Sequence, residues 1–551
     1  MPTLKIDGRE ITVEEGTRVI EAADALGIPI PRFCYHPGLP VAANCRMCLV
    51  ETNRSPKPVP SCYDICQDGM EVQTASEKVK EARRAVLEYT LLNHPVDCPI
   101  CDQAGECDLQ DLYFDYDCKP SRHAFRKAHK PKARTIGPRI VYDAERCINC
   151  TRCVRFCEDV AGAPQLRQVH RGEKTYIDVF PGTELDNPYS LCAADVCPVG
   201  ALTPKDFRFK CRVWFMKGVQ SVCGECSRGC SVRLDTFKNE VQRVKPRHNP
   251  NVNQYWACDA GRLAYHRFDE GRLAGTRIRG EEVAYFDAVA RFADAFQEAI
   301  GGGKQVAVVL SPFMTCEDAF AALTLLKAKA PGAVYAVGGR VEGEADDVLA
   351  RADRNPNRAG LDKVMGAFGI QPVPLDTLHE AVHPVVLVFG FEHEEQNHAR
   401  MALQAAELSA VFTSLDNLGD VETYAFPTVT PYETYGTWLN EFEVLQRVRP
   451  ALKVPGEARQ ARAVVADLAE RLGAPLDVAS APGLFDAMAV AVEAFSGLKL
   501  DDVGPFGIKL SEKPADPSDE PDAEEGAESD DGADAEDAAD IAEETAATEE
   551  A

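Results

Sequence analysis

Nineteen of the chain's 21 cysteines lie between Cys34 and Cys230, in short repeated spacings. Thiolate sulfur is a soft donor. A loop that returns several thiolates to one place suits zinc or an iron–sulfur cluster. The first candidate set is Cys34, Cys45, Cys48 and Cys62, with a long first gap and the last ligand on a separate segment. Cys66 competes with Cys62 for the fourth place. The second set is His94, Cys98, Cys101 and Cys107. A lone histidine is ordinarily a surface or capped residue. Here three thiolates lack a fourth partner, and His94 lies just upstream; Cys118 is the competing ligand. Imidazole donates less electron density than thiolate and raises a cluster's potential.

The third set is the run Cys147, Cys150, Cys153 and Cys157, with Cys197-Pro198 further on. In two-cluster bacterial ferredoxins the fourth cysteine of each run serves the other cluster. Cys147, Cys150 and Cys153 are thus expected to take the distant Cys197. A second run ending at Cys197 would need thiolates where the chain has Asn187, Ser190 and Ala193. Cys192 is out of register, so one cluster is expected here, with Cys157 as a packing residue. The fourth set is Cys223, Cys226, Cys230 and Cys258, which suits [4Fe–4S]; structural zinc is the competing reading.

The surroundings narrow the chemistry. At 551 residues the chain is long enough for several cores. A secreted disulfide scaffold would be short and carry a leader. The start, Met1-Pro2-Thr3-Leu4-Lys5, shows neither a signal-peptide core nor a transit helix, so no targeting segment is expected. No run of 18 apolar residues suggests a membrane span. The net charge is −27, but residues 514–551 hold 17 Asp/Glu and no Lys/Arg, leaving −10 for the rest. Without a basic excess, nucleic-acid binding is a poor reading.

The elements that must carry these loops can be placed in outline. Residues 1–75 read as a β-grasp ferredoxin: two strands around Asp7-Gly8, then a helix capped by Thr17, with Val19, Ile20, Ala23 and Leu26 on one face and Gly27 as its stop. Residues 76–118 read as a helix over 77–92 and a cysteine loop. Residues 119–142 carry eight Lys/Arg and no Asp/Glu, and read as a solvated basic connector. Residues 143–210 hold the ferredoxin-like run. Residues 211–272 hold the fourth set and a hairpin, 231–234 with 241–244, around Lys238-Asn239-Glu240. From 273 to 512, buried strands at 306–310 and 385–389 alternate with helices at 284–300 and 317–330, an α/β pattern. Residues 513–551 read as an acidic disordered tail. Gly301-Gly302-Gly303-Lys304 lacks the P-loop spacing.

Residues 93–110, the run Cys150-Thr151-Arg152-Cys153-Val154-Arg155-Phe156-Cys157 and Cys197-Pro198-Val199-Gly200-Ala201-Leu202 resemble the large iron–sulfur subunit of respiratory complex I, the G or 75-kDa type. The resemblance covers roughly 1–270 and, more weakly, 280–500. It implies one [2Fe–2S] cluster on Cys34, Cys45, Cys48 and Cys62. It implies three [4Fe–4S] clusters: on His94, Cys98, Cys101 and Cys107; on Cys147, Cys150, Cys153 and Cys197; and, as in some bacterial members, on Cys223, Cys226, Cys230 and Cys258. It implies an electron relay within a proton-translocating NADH–quinone oxidoreductase, from a flavin subunit that oxidises NADH towards quinone-binding subunits. Other peripheral-arm subunits are implied as partners, and the place is the cytoplasmic face of the bacterial inner membrane. No NADH or quinone site is expected on this chain.

The later half resembles a shortened molybdopterin-oxidoreductase region without its cofactor. A formate dehydrogenase would need a metal ligand there, often Cys or selenocysteine followed by His. The only later cysteine, Cys316, is followed by Glu317. An [FeFe]-hydrogenase would need further cysteine motifs downstream. A diaphorase-type subunit of an NAD-linked hydrogenase would not need the later half.

Overall fold

Asp7 and Gly8 take φ of 48° and 83° and turn strand Thr3–Ile6 back onto Arg9–Thr12. Two adjacent positive φ values make the tight turn that matches strand twist. In the computed structural model, residues 1–116, 120, 122–379, 383–390, 397–419, 421, 423–476 and 481–513 are described. Cys118 and the acidic residues 514–551 lie outside the described residues.

The first sheet runs Arg9–Thr12, Thr3–Ile6, Glu71–Gln73, Leu49–Thr52, Ser55–Pro60. Only the Thr3–Ile6 and Glu71–Gln73 pair is parallel. Helix Val19–Ala25 packs Val19, Ile20, Ala22 and Ala23 with Leu4, Ile6, Val50 and Val72. This is the β-grasp arrangement. The helix cap falls at Arg18, not Thr17. Glu21 accepts the Arg18 N–H at 2.9 Å, while the Thr17 carbonyl is taken by the Cys66 N–H at 2.8 Å.

Helix Glu77–Leu91 starts on Ser76, whose hydroxyl accepts from the Val79 N–H at 3.2 Å. Strands Arg134–Thr135, Ile140–Tyr142 and Leu202–Pro204 form a small sheet under the ferredoxin-like loops. In the next unit the hairpin is longer than the alternation suggested: Ser231–Phe237 and Glu240–Pro246 turn on Lys238 and Asn239, with φ of 53° and 64°. A third strand, Lys217–Val222, pairs with it. The sequence reading missed this strand because Lys217, Gly218 and Gln220 give it no clean apolar face.

The later half is a seven-stranded sheet ordered Glu281–Glu282, Arg277–Ile278, Tyr424–Pro427, Leu408–Thr413, Val385–Phe389, Val306–Leu310, Val334–Val337. The last five strands of that order are parallel. Val306–Leu310 lies inside, and later strands add on both sides of it, so the sheet is doubly wound. Alternate residues feed two cores. Val306, Val308 and Leu310 face helices Tyr285–Gly301, Cys316–Lys329 and Ala461–Arg471, while Ala307 and Val309 face Asn397–Ala405. Burial on both faces explains why these strands are continuously apolar. Gly301-Gly302-Gly303 ends a helix, with Gly303 at φ 75°.

Phe412 stacks between Phe389 and Phe426, with ring centroids 4.3 and 5.3 Å away. Phe412→Ala should lower the stability of residues 273–512 by about 3–5 kcal/mol. Denaturant titration should show this loss with the iron content of the purified chain unchanged.

Candidate metal centres

The first loop gathers its sulfurs tightly. Cys34 hydrogen bonds with Cys45 and Cys62, and Cys48 with Cys62. The bond from Cys45 and then that from Cys62 hold the Cys34 thiol down at about 2, and the Cys62 bond holds Cys48 at about 6. The bond to Cys34, then burial, push Cys45 up; bonds to Cys34 and Cys48, then burial, do the same to Cys62. Four sulfurs this close compete for protons, and a metal centre replaces those protons. Ala43 and Arg46 take φ of 50° and 59°. The loop so formed turns N–H groups towards sulfur, including Cys34 N–H to Cys45 Sγ at 3.4 Å. Cys66 packs in the same buried cluster as Val19, Ile20, Cys48 and Cys62, its thiol raised to about 11 by burial beside Glu21 and Asp64.

His94 follows helix Glu77–Leu91. Its ring nitrogen Nδ1 is buried without a hydrogen-bond partner. Burial, then Lys127 and Arg146, lower its pKa to about 4. A neutral imidazole with a bare nitrogen is the metal-binding form. Burial raises both Cys101 and Cys107; Cys101 senses Cys98, and Cys107 senses Cys101. Cys98 is exposed. Gly200 makes room for the loop: a Cβ there would lie 2.1 Å from Cys101 Sγ.

The basic stretch is exposed over 122–127, yet several of its basic groups are engaged. Lys127 Nζ caps the helix by donating to the Leu91 and Leu92 carbonyls, each at 3.0 Å. Lys132 pairs with Asp97 at 2.7 Å and Glu145 at 2.9 Å, and Arg134 with Asp178 at 3.0 Å. The Ala128 N–H donates to Asn93 Oδ1 at 2.9 Å. The stretch is a strap over the His94 loop. Composition could not show this, because the carboxylates and carbonyls it binds come from other segments.

Cys147, Cys150, Cys153 and Cys197 converge. Burial raises each thiol, and Cys153 senses Cys150, Cys147 and Cys197. Asn149 and Thr151 take φ of 53° and 63°, and the Asn149 N–H reaches Cys147 Sγ at 3.4 Å. The Tyr142 hydroxyl also hydrogen bonds to Cys147. Sequence reasoning missed Tyr142, whose signal is a polar-tipped aromatic at a strand end just before the run. Cys157 is buried against Phe156 and Tyr189 and bonds to the Asn187 side chain; its thiol is raised to about 12 by burial.

Cys230 senses Cys223, Cys226 and Cys258, and burial raises all four thiols. Cys258 caps helix Asp259–Leu263 and accepts from the Gly261 N–H at 3.4 Å. A Cβ on Gly261 would lie 2.7 Å from Cys223 Sγ. Among the described residues, no three His, Cys, Asp or Glu side chains close on a point as they would around a single ion. The donors present fit clusters by type: soft sulfur, desolvated except at the exposed Cys98, with backbone N–H groups aimed at it.

Four family profiles match consecutive stretches. A 2Fe-2S iron–sulfur cluster binding domain matches residues 1–77, and the NADH-ubiquinone oxidoreductase-G iron–sulfur binding region matches 83–122. The ferredoxin-like domain of NADH-quinone oxidoreductase subunit 3 matches 137–203, and the molybdopterin oxidoreductase Fe4S4 domain matches 216–270. The G-type subunit of NADH-quinone oxidoreductase from Rickettsia felis is 40% identical over 332 residues, 59% of this chain and 49% of that protein. The chain is homologous to the G, or 75-kDa, iron–sulfur subunit of NADH–quinone oxidoreductase.

Iron–sulfur protein 1 of NADH dehydrogenase [ubiquinone] from Solanum tuberosum, a mitochondrial relative, is 36% identical over 390 residues, 69% of this chain and 52% of that protein. The chain thus spans about half the length of these curated relatives. A chain of an NAD+-reducing [NiFe]-hydrogenase in the H2-reduced state is 31% identical; the match covers 38% of this chain and 91% of that one, with a TM-score of 0.35.

Gly200→Ala should push Cys101 Sγ out of its place. Iron in the purified chain should fall by about one cluster, by colorimetric iron assay, while the far-ultraviolet circular dichroism stays that of the parent.

Proposed function

We propose that this chain is the iron–sulfur electron-relay subunit of a proton-translocating NADH–quinone oxidoreductase. It would take electrons from the flavin subunit that oxidises NADH and pass them towards the quinone-binding subunits. The observation that supports this reading best is the gathering of four cysteine-rich sets in one unit, in the chain order of the family profiles. Bound clusters supply one-electron carriers whose potentials follow ligand type, hydrogen bonding and burial.

In this reading Cys34, Cys45, Cys48 and Cys62 hold [2Fe–2S]. His94, Cys98, Cys101 and Cys107 hold one [4Fe–4S]; Cys147, Cys150, Cys153 and Cys197 hold a second; Cys223, Cys226, Cys230 and Cys258 hold a third. The loops donate N–H groups to sulfur, which favours the reduced state. Burial excludes water and keeps His94 neutral. The later half is a scaffold without molybdopterin. Among the described residues no helix is long and apolar enough to cross a membrane. The chain would be held at the cytoplasmic side of the bacterial inner membrane through the other peripheral-arm subunits.

His94→Ala should abolish or strongly perturb one [4Fe–4S] EPR signal and leave the [2Fe–2S] signal intact. An unchanged spectrum would remove His94 from the ligands. The whole chain should carry about 14 irons. A value near ~10 would leave the Cys223–Cys258 set empty of iron or give it to zinc, and one near ~18 would add a cluster through Cys157. Elemental analysis should show no stoichiometric molybdenum or tungsten; finding either would favour a formate dehydrogenase.

A further inference from the structure

Two guanidinium groups tie the first sulfur loop to the third. Arg152 and Arg155 occupy the ends of the short helix Arg152–Arg155, one turn apart and on one side of it. Arg155 Nη2 donates to the Cys34 carbonyl at 2.6 Å and to the Cys150 carbonyl at 3.4 Å, and Nη1 donates to the Pro40 carbonyl. Arg152 Nη2 donates to the Tyr35 carbonyl at 2.6 Å, and Nη1 to the Val196 carbonyl at 3.4 Å. One arginine thus touches a residue of each sulfur set. The other touches the neighbours of Cys34 and Cys197. The partners lie up to 121 positions apart in the chain, so nothing local dictates these contacts. Arg155 also senses the Cys34, Cys150 and Cys153 sulfurs. Arg152 has Asp108 at 3.8 Å, whereas these Arg155 bonds go to neutral carbonyls that do not cancel its charge.

We propose that Arg155, with Arg152 beside it, is a positioning residue that fixes the gap between the Cys34–Cys62 and Cys147–Cys197 centres and raises the reduction potential of both. The proposal rests on the ligand assignment made above. Reduction adds negative charge to a cluster, and a fixed positive charge nearby favours that state. A charge shared by two loops biases both centres in the same direction. The fork of the guanidinium matters as well. It presents several fixed N–H donors to separate carbonyls, whereas an ammonium is a single point of charge on a flexible stem.

The test uses the full chain purified with its clusters, as parent, Arg155→Gln, Arg155→Lys and Arg152→Gln. Each is assayed for iron and acid-labile sulfide and titrated electrochemically with EPR detection. The expected result is parent-level iron in Arg155→Gln with the [2Fe–2S] signal and the Cys147–Cys197 [4Fe–4S] signal both shifted to lower potential. The His94-set signal should stay in place. Arg155→Lys, which keeps the charge, should recover most of both shifts. Unmoved potentials at full iron content would overturn the proposal, as would a shift in one signal alone or equal shifts in the Lys and Gln variants. If Arg155→Gln loses iron, Arg152→Gln carries the test: a joint downward shift supports the proposal and its absence overturns it. A parent chain without a [2Fe–2S] or a third-set [4Fe–4S] signal would instead defeat the ligand assignment, whatever the arginines do.

Discussion

Sulfur held together in a dry interior is the constraint on which the rest of this protein depends. Thiolates repel one another and lose hydration when buried, which raises their proton affinity. The loops answer with geometry. Ala43, Arg46, Asn149 and Thr151 accept left-handed backbone that side-chain-bearing residues seldom adopt. In return the cysteine loops aim N–H groups at sulfur, as Asn149 does at Cys147 and Gly261 at Cys258. Where a side chain would block a sulfur, the chain has none, at Gly200 and Gly261.

Those loops carry little regular structure, so other parts must hold them. The strap over the His94 loop joins Asp97 and Glu145 through Lys132, and reaches Asp178 through Arg134. An aromatic stack does the same between the first loop and the fourth. Trp256, two residues before Cys258, stacks on His36 at 5.5 Å and meets Phe156 at a tilt, 4.9 Å away. The later half clamps the fourth set directly. The Ser227 N–H donates to the Asp353 carbonyl at 2.9 Å, Gln446 Nε2 donates to the Gly229 carbonyl at 2.8 Å, and Arg340 pairs with Glu225 at 3.0 Å. The stretch 338–357 and strand Val444–Val448 therefore brace the fourth set.

The same support also buries polar and charged groups. Glu317 is buried in helix Cys316–Lys329, and burial raises its carboxyl; it accepts from the Thr437 N–H at 2.9 Å and hydroxyl at 3.0 Å. Asn357 joins that helix to strand Gly436–Leu439 by accepting from the Leu439 N–H at 2.7 Å. Cys316 is packed beside Asn357, which accounts for it as a core residue outside the four sulfur sets.

The amino-acid sequence by itself determined what spacing and local chemistry can encode. Cysteine intervals marked the four sets, Asp7-Gly8 marked a turn, and apolar runs at 306–310 and 385–389 marked buried strands. These features are local, because a ligand motif, a hairpin turn and a strand period each lie within a few residues. Only the tertiary structure showed the Cys62 thiol bonded to Cys34 and Cys48, with the Cys66 N–H on the Thr17 carbonyl. It alone turned the basic stretch into a strap, placed Tyr142 on Cys147, and brought Arg155 between the Cys34 and Cys150 loops. The reason is physical: a charge or hydroxyl shows its residue type in the sequence, but its partner is chosen by the folding of segments up to a hundred or more positions away.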